Sequence, residues 1–148
     1  ATLSREEWQK IAEGGESVAF SKFLQMSAKF RRGLLPTFPS EALPLALDEG
    51  EVVHYVSSPV YLNEKQPSRG SASDKGDFIL TNKRMVFVRQ SGAFGIPFER
   101  VELVEESRPG FLVKEKDSFE PWFFFPPSYD PVFAAVEGAM HNFKRRNS

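Results

Sequence analysis

The chain has 148 residues, enough for one domain with a real core, and its 19 Lys and Arg against 20 Asp and Glu leave a formal net charge of −1. With a pI near 6.2 it has no basic surplus, so nucleic acid is not expected as a partner. Zero cysteines exclude a disulfide framework and a cysteine nucleophile or ligand, and no apolar run reaches the roughly 20 residues of a membrane span.

Ser4-Arg-Glu-Glu7 has the spacing of a capping box, and a short helix carrying Trp8 and Ile11 should follow it and stop at Gly14-Gly15. The N-terminus shows no secretory-signal pattern, which together with the missing cysteines leads to the expectation of a cytoplasmic protein without a transmembrane segment. A second helix is expected from about 16 to 32. It places Phe20, Phe23, Leu24, Ser27 and Phe30 on one stripe, has Lys29, Arg31 and Arg32 in its last turn, and stops at Gly33. Such a stripe suits a groove-binding or membrane-surface helix, or packing on the protein's own body; the second reading is taken here. Prolines 36, 39 and 44 make the stretch 34–44 an extended connector and the expected boundary between an N-terminal helical extension, 1–44, and a domain spanning 45–148.

Strands are expected over 52–56 and 60–64, separated by a turn at Ser57-Ser58-Pro59, and residues 66–75 have the composition of a mobile loop. A central hairpin follows. Its two runs, Phe78 to Leu80 and Met85 to Val88, flank the polar turn Thr81-Asn82-Lys83-Arg84. After a turn at 91–95, one strand over 96–105 would have to change parity, since Ile96 and Phe98 are even and Val101 and Leu103 odd; a bulge near Glu99-Arg100 is expected. Strands six and seven follow over 111–116 and 119–125, with Pro121 marking an edge or a bulge. Asp130-Pro131 then opens an amphipathic helix that runs to Lys144-Arg145-Arg146, with Val132, Phe133, Val136, Met140 and Phe143 on one face. Most of the fifteen phenylalanines should be core.

This order of elements predicts a mainly β fold with helices: a small, partly open antiparallel barrel of seven strands, capped by the C-terminal helix. Leu47-x-x-Gly50-Glu51 before the first strand, Gly76-Asp-Phe-Ile-Leu-Thr-Asn-Lys-Arg-Met-Val-Phe87 in the middle and Ile96-Pro-Phe-Glu-Arg-Val101 afterwards are the residues that carry a resemblance. Over about 45–146 the chain resembles the pleckstrin-homology-like (PH-like) superfamily, particularly its GRAM and bacterial PH-like branches. The resemblance implies a non-catalytic binding module whose members take phosphoinositide head groups, peptides or other domains. Lipid-binding members carry a basic motif across the first hairpin. The turn expected there, Ser57-Ser58-Pro59, has no Lys or Arg, which argues against inositol phosphate recognition.

The resemblance implies that the central turn with Lys83 and Arg84 and the last turn, which Lys114 and Lys116 approach, lie at the same open end of the barrel, where the four would form a modest anion site; the alternative is ordinary solvated turn residues. Catalysis finds no motif. His54 and His141 are far apart in sequence, no phosphate loop or nucleophile elbow occurs, and Glu105 and Glu106 would point to opposite faces of a strand. No cofactor and no metal are therefore expected, and the chain is not expected to be an enzyme. Alternation over 119–125 sends Phe119, Phe123 and Phe125 to one face and Trp122 and Phe124 to the other, and an apolar outer face needs cover. The stripe Trp8, Phe20, Phe23, Leu24 and Phe30 is the expected cover, docking on Trp122 and Phe124, or else driving dimerisation or partner binding. The function expected is a binding or scaffolding domain for protein–protein contact or self-association; the alternative is a peripheral membrane module that binds anionic lipid head groups.

Overall fold

Seven strands form one antiparallel sheet: β1 (Val53–Asn63), β2 (Asp74–Thr81), β3 (Arg84–Arg89), β4 (Gly92–Pro97), β5 (Val101–Ser107), β6 (Gly110–Glu115) and β7 (Trp122–Phe125), in the spatial order β4-β3-β2-β1-β7-β6-β5. Among the described residues two α-helices accompany them, α1 (Phe20–Arg31) and α2 (Tyr129–Arg146). The computed structural model describes residues 20–39, 43, 45–63, 74–90, 92–108, 110–127 and 129–146. The expected capping-box helix with Trp8, and residues 66–73 of the expected loop, lie outside the described residues, as do the side chains of Phe20, Phe23 and Leu24.

The strand total matches the expectation through two offsetting differences. Ser57-Ser58-Pro59 is no turn: β1 runs through it, and a register shift against β2 between Ser57 and Val60 accommodates a proline that has no N–H to give the ladder. In turn, the single strand expected over 96–105 is two. β4 begins at Gly92, where a turn was expected, and a 3-10 turn at Phe98–Arg100 swings the chain into β5. That corner brings Ile96, Phe98 and Val101 to the core, and a register shift against β6 follows it between Val101 and Leu103, one residue beyond the bulge expected near Glu99-Arg100. Ile96, Phe98 and Val101 are all buried, while Leu103 is 43% exposed.

Inside the curled sheet sits an aromatic core. Phe124 is its hub, with ring centroids 5.2 Å from Phe78, 5.4 Å from Phe111 and 5.9 Å from Phe87. The inner core is closed by α2, whose Val132, Phe133 and Val136 are buried in it. Each such side chain stabilises the fold by about 1.5–3 kcal/mol before entropy is subtracted.

The other side of α2 is covered by α1. Phe30 is buried and meets the Tyr55 ring edge-on at 6.0 Å, Arg31 pairs with Glu137 at 3.3 Å, and Asn142 Nδ2 donates to the Gly33 carbonyl at 2.9 Å. The close approach requires Gly138, since a Cβ there would lie 1.7 Å from the Phe30 carbonyl oxygen. Gly33, at φ +86°, ends α1: its N–H donates to Phe30 O at 2.8 Å and that of Leu34 to Lys29 O at 3.0 Å, the paired bonds of a Schellman stop. The connector then runs back over the sheet. Phe38 bridges Val53, and Phe38, Leu43, Leu45 and Leu47 cover Val53, Ile79 and Val86 on the outer face of β1, β2 and β3.

Candidate functional site

Two segments some thirty residues apart, 46–52 and Thr81-Asn82-Lys83-Arg84, lock together at the β2–β3 turn. Thr81 Oγ1 accepts the backbone N–H groups of Lys83 and Arg84, both at 3.0 Å, and donates to Glu51 Oε2 at 2.7 Å. Asn82 exchanges a pair of bonds with Val52 and donates its side-chain amide to Gly50 O at 3.1 Å. Arg84 grips the fully buried Glu51 carboxylate with both arms of its fork, Nε to Oε2 at 2.9 Å and Nη2 to Oε1 at 3.2 Å, and also reaches Ala46 O at 2.9 Å. Lys83 Nζ donates to Glu49 O at 2.7 Å. Burial alone would push the Glu51 carboxyl up, but the bonds from Arg84, the Asp48 amide and Thr81 outweigh it and hold it below its ordinary value. Both turn cations thus have acceptors within the protein.

Beside this turn lies an open cleft of about 570 Å³ between the β2–β3 turn, the 3-10 corner and the last turn of α2. Lys83, Arg84 and Arg146 bring three cations to it, Asp48 and Glu99 two carboxylates, and Phe143 an apolar wall. Arg146 Nη2 makes a long bond, 3.4 Å, to Asn82 O. Sequence reading missed Arg146, Glu99 and Phe143 as neighbours of the turn; the basic end of the helix was the one signal that pointed there.

The structure does not bring the four expected anion-site residues together. Lys83 and Arg84 line the cleft at the helix-capped end, whereas Lys114 pairs with Glu102 at 2.5 Å on the β5–β6 face, and Lys116 follows β6, its N–H on Arg100 O at 2.8 Å. The expected docking surface is also rearranged. Phe124, at 1% exposed, points into the core rather than outward. Trp122, on the same side, stacks on Phe94 at 4.6 Å and donates to Glu115 at 3.0 Å. What α1 covers is α2, and what the connector covers is the outer face of β1–β3. Phe119 is not part of β7; it stands 98% exposed in the β6–β7 turn. His54 Nδ1 lies 2.7 Å from Pro36 O and so donates to it, and His141 is exposed. Among the described residues no group of three His, Asp or Glu side chains is placed to hold a metal ion, and no helix is long and apolar enough to cross a membrane.

A curled seven-stranded antiparallel sheet closed by a C-terminal helix is the PH-like fold, and the chain has it. Among solved structures it is similar to the Vps36 N-terminal PH domain, with TM-score 0.55 and 15% identity over 74% of this chain and 93% of that one. It is also similar to the C-terminal domain of an unknown protein from Leishmania infantum, with TM-score 0.51 and 15% identity over 63% of this chain and 87% of that one. No protein-family model matches the chain, and no curated protein matches it.

Proposed function

We propose that the chain is a non-catalytic PH-like recognition module that works through protein–protein contact, in the manner expected of a GRAM-like branch of the superfamily. The observation that carries this reading is the outer edge of β5. Among the described strands β5 pairs with β6 alone, so its other edge offers unpaired backbone groups, with Leu103 exposed beside Glu102 and Glu105. That strand carries no Lys or Pro, and a sheet edge with unpaired backbone groups is a template for strand addition. Its glutamates oppose pairing with a second copy of the same strand and favour an extended partner carrying Lys or Arg. Selection of displayed peptides against the chain tests it. Enrichment of alternating apolar and basic sequences whose binding is lost in Leu103→Lys supports the reading; enrichment of nothing, or of peptides indifferent to that change, contradicts it.

One observation favours the lipid alternative. Because β1 continues through Ser57-Ser58-Pro59, the first hairpin connection is 64–73, which contains Lys65 and Arg69 and leads to Lys75 at the start of β2. The sequence argument against a basic first hairpin therefore falls. Salt-sensitive capture by anionic vesicles, lost in a Lys65→Ala, Arg69→Ala variant, would decide for this reading.

A further inference from the structure

We infer that the free edge of β4 pairs with the β4 of a second copy of this chain, giving a two-fold symmetric dimer whose sheet runs on across the contact. This goes beyond partner capture at the β5 edge and does not depend on it. Among the described strands β4 pairs with β3 alone, in one unbroken register from Arg84↔Pro97 to Arg89↔Gly92. Just past it, the Phe98 N–H donates to Lys83 O at 3.0 Å. Bonded and non-bonded pairs alternate along an antiparallel ladder. Ile96, Phe94 and Gly92 therefore turn their backbone groups to β3, while Ala93 and Gly95 turn theirs to the open side. Pro97, with no N–H to give, falls in the open-side set and costs the β3 ladder nothing.

The composition of the strand selects its own copy as the occupant. Gly92, Ala93 and Gly95 are exposed and carry almost no side chain, so a second backbone reaches the edge unhindered. Ile96 and Phe94 face the core instead. Phe94 stacks on Trp122 at 4.6 Å, with Arg89 Cζ 5.4 Å from its ring centre, so the edge is held in shape before it meets a partner. No residue of β4 is charged, whereas β5 carries Glu102, Glu105 and Glu106. A charged strand that pairs with itself sets like charges side by side, and β4 escapes that cost. The cation beside Gly95, Arg84, is already paired with Glu51, and a formal net charge of −1 leaves little repulsion between whole copies. With Phe94 opposite its own copy on the two-fold axis, Ala93 of each chain faces Gly95 of the other. The outward N–H groups of both residues then find carbonyls across the contact.

The test is sedimentation equilibrium of the full chain from about 10 µM to about 1 mM, with hydrogen exchange at both ends of that range. The average mass should rise from 16.8 kDa toward twice that value, and the Ala93 and Gly95 amides should gain protection while that of Phe94, already bonded to β3, does not. Ala93→Lys places a charge on the exposed edge, and Gly95→Pro removes an N–H that β3 does not use. Each should weaken association about tenfold or more while melting like the parent, and Ala93→Lys decides alone if Gly95→Pro melts early. Leu103→Lys, on the β5 edge, should associate like the parent. A chain that stays monomeric to about 1 mM overturns the inference. So does association that ignores Ala93→Lys, or that is lost in Leu103→Lys.

Discussion

Arg84 and Glu51 are 33 positions apart and form a two-armed ion pair in which the carboxylate side chain is fully inaccessible and the guanidinium one quarter exposed. This one pair joins the two motifs most distinctive of the sequence, Gly50-Glu51 and Thr81-Asn82-Lys83-Arg84. It explains why they occur together: a buried carboxylate needs a fixed cation, and the tight turn needs a fixed acceptor.

Removing either partner leaves the other uncompensated. Arg84→Ala and Glu51→Ala should each cost about 2–3 kcal/mol, less than the roughly 3–5 kcal/mol of a fully buried pair because Arg84 keeps contact with water. The double variant should be more stable than the sum of the single losses implies. Denaturant melts of the four proteins check this, and simple additivity would show that the pair does not act as a unit.

Acidity should reveal His54 before Glu51. Burial lowers the His54 pKa, the bond to Pro36 O raises it, and the nearby Arg146 charge lowers it; the net is below the ordinary 6.5. The fold therefore favours neutral imidazole, so this contribution is complete above about pH 6.5 and is lost as pH falls below it toward the folded value. The Glu51 contribution, also from a depressed pKa, is complete above about 4.5 and fades only below that. Melting temperature should drop as pH falls below about 6.5, and His54→Gln should flatten that step while leaving the more acidic one in place.

Gly138→Ala tests the contact between the helices. In an exposed helix interior the change would stabilise by about 0.5–1 kcal/mol. Here the added methyl meets Phe30 O, so we expect a loss of about 1–3 kcal/mol from overpacking. A rise in stability would mean that α1 does not seat on α2 as described.

The connector should behave as a wall of the domain. Phe38→Ala should destabilise by about 2–3 kcal/mol, somewhat under the value for a fully buried phenylalanine, because Phe38 is half-buried over Val53, Ile79 and Val86. Deleting residues 1–44 should lower the melting temperature further and raise binding of an apolar dye. An unchanged melting curve would contradict the packing.

Much of this architecture was legible, and the misreadings have definite causes. Periodicity and caps located α2 and the Gly33 stop, because local rules govern both. Proline after two serines read as a turn at 57–59, but a register shift let β1 continue, a choice made by its pairing with β2. Gly92 and Gly95 read as a turn and instead lie in β4, at the margin of the sheet. The aromatics of β7 occupy both faces, so alternation alone left open which face is core; packing against Phe78, Phe87 and Phe111 chose Phe124. Ala134, Ala135, Gly138 and Ala139 gave a readable sign that a second helix approaches α2, and it went unread. The cleft was less legible, because Arg146 and Glu99 meet Lys83 only through the fold.

The claim that this fold acts by taking up an extended partner at β5 is met most directly by hydrogen exchange of the full chain with and without a peptide selected against it. Added protection should fall on the β5 amides that do not bond to β6, around Leu103 to Glu105, and vanish in Leu103→Lys. Protection that appears elsewhere and leaves β5 exchanging as before would contradict it.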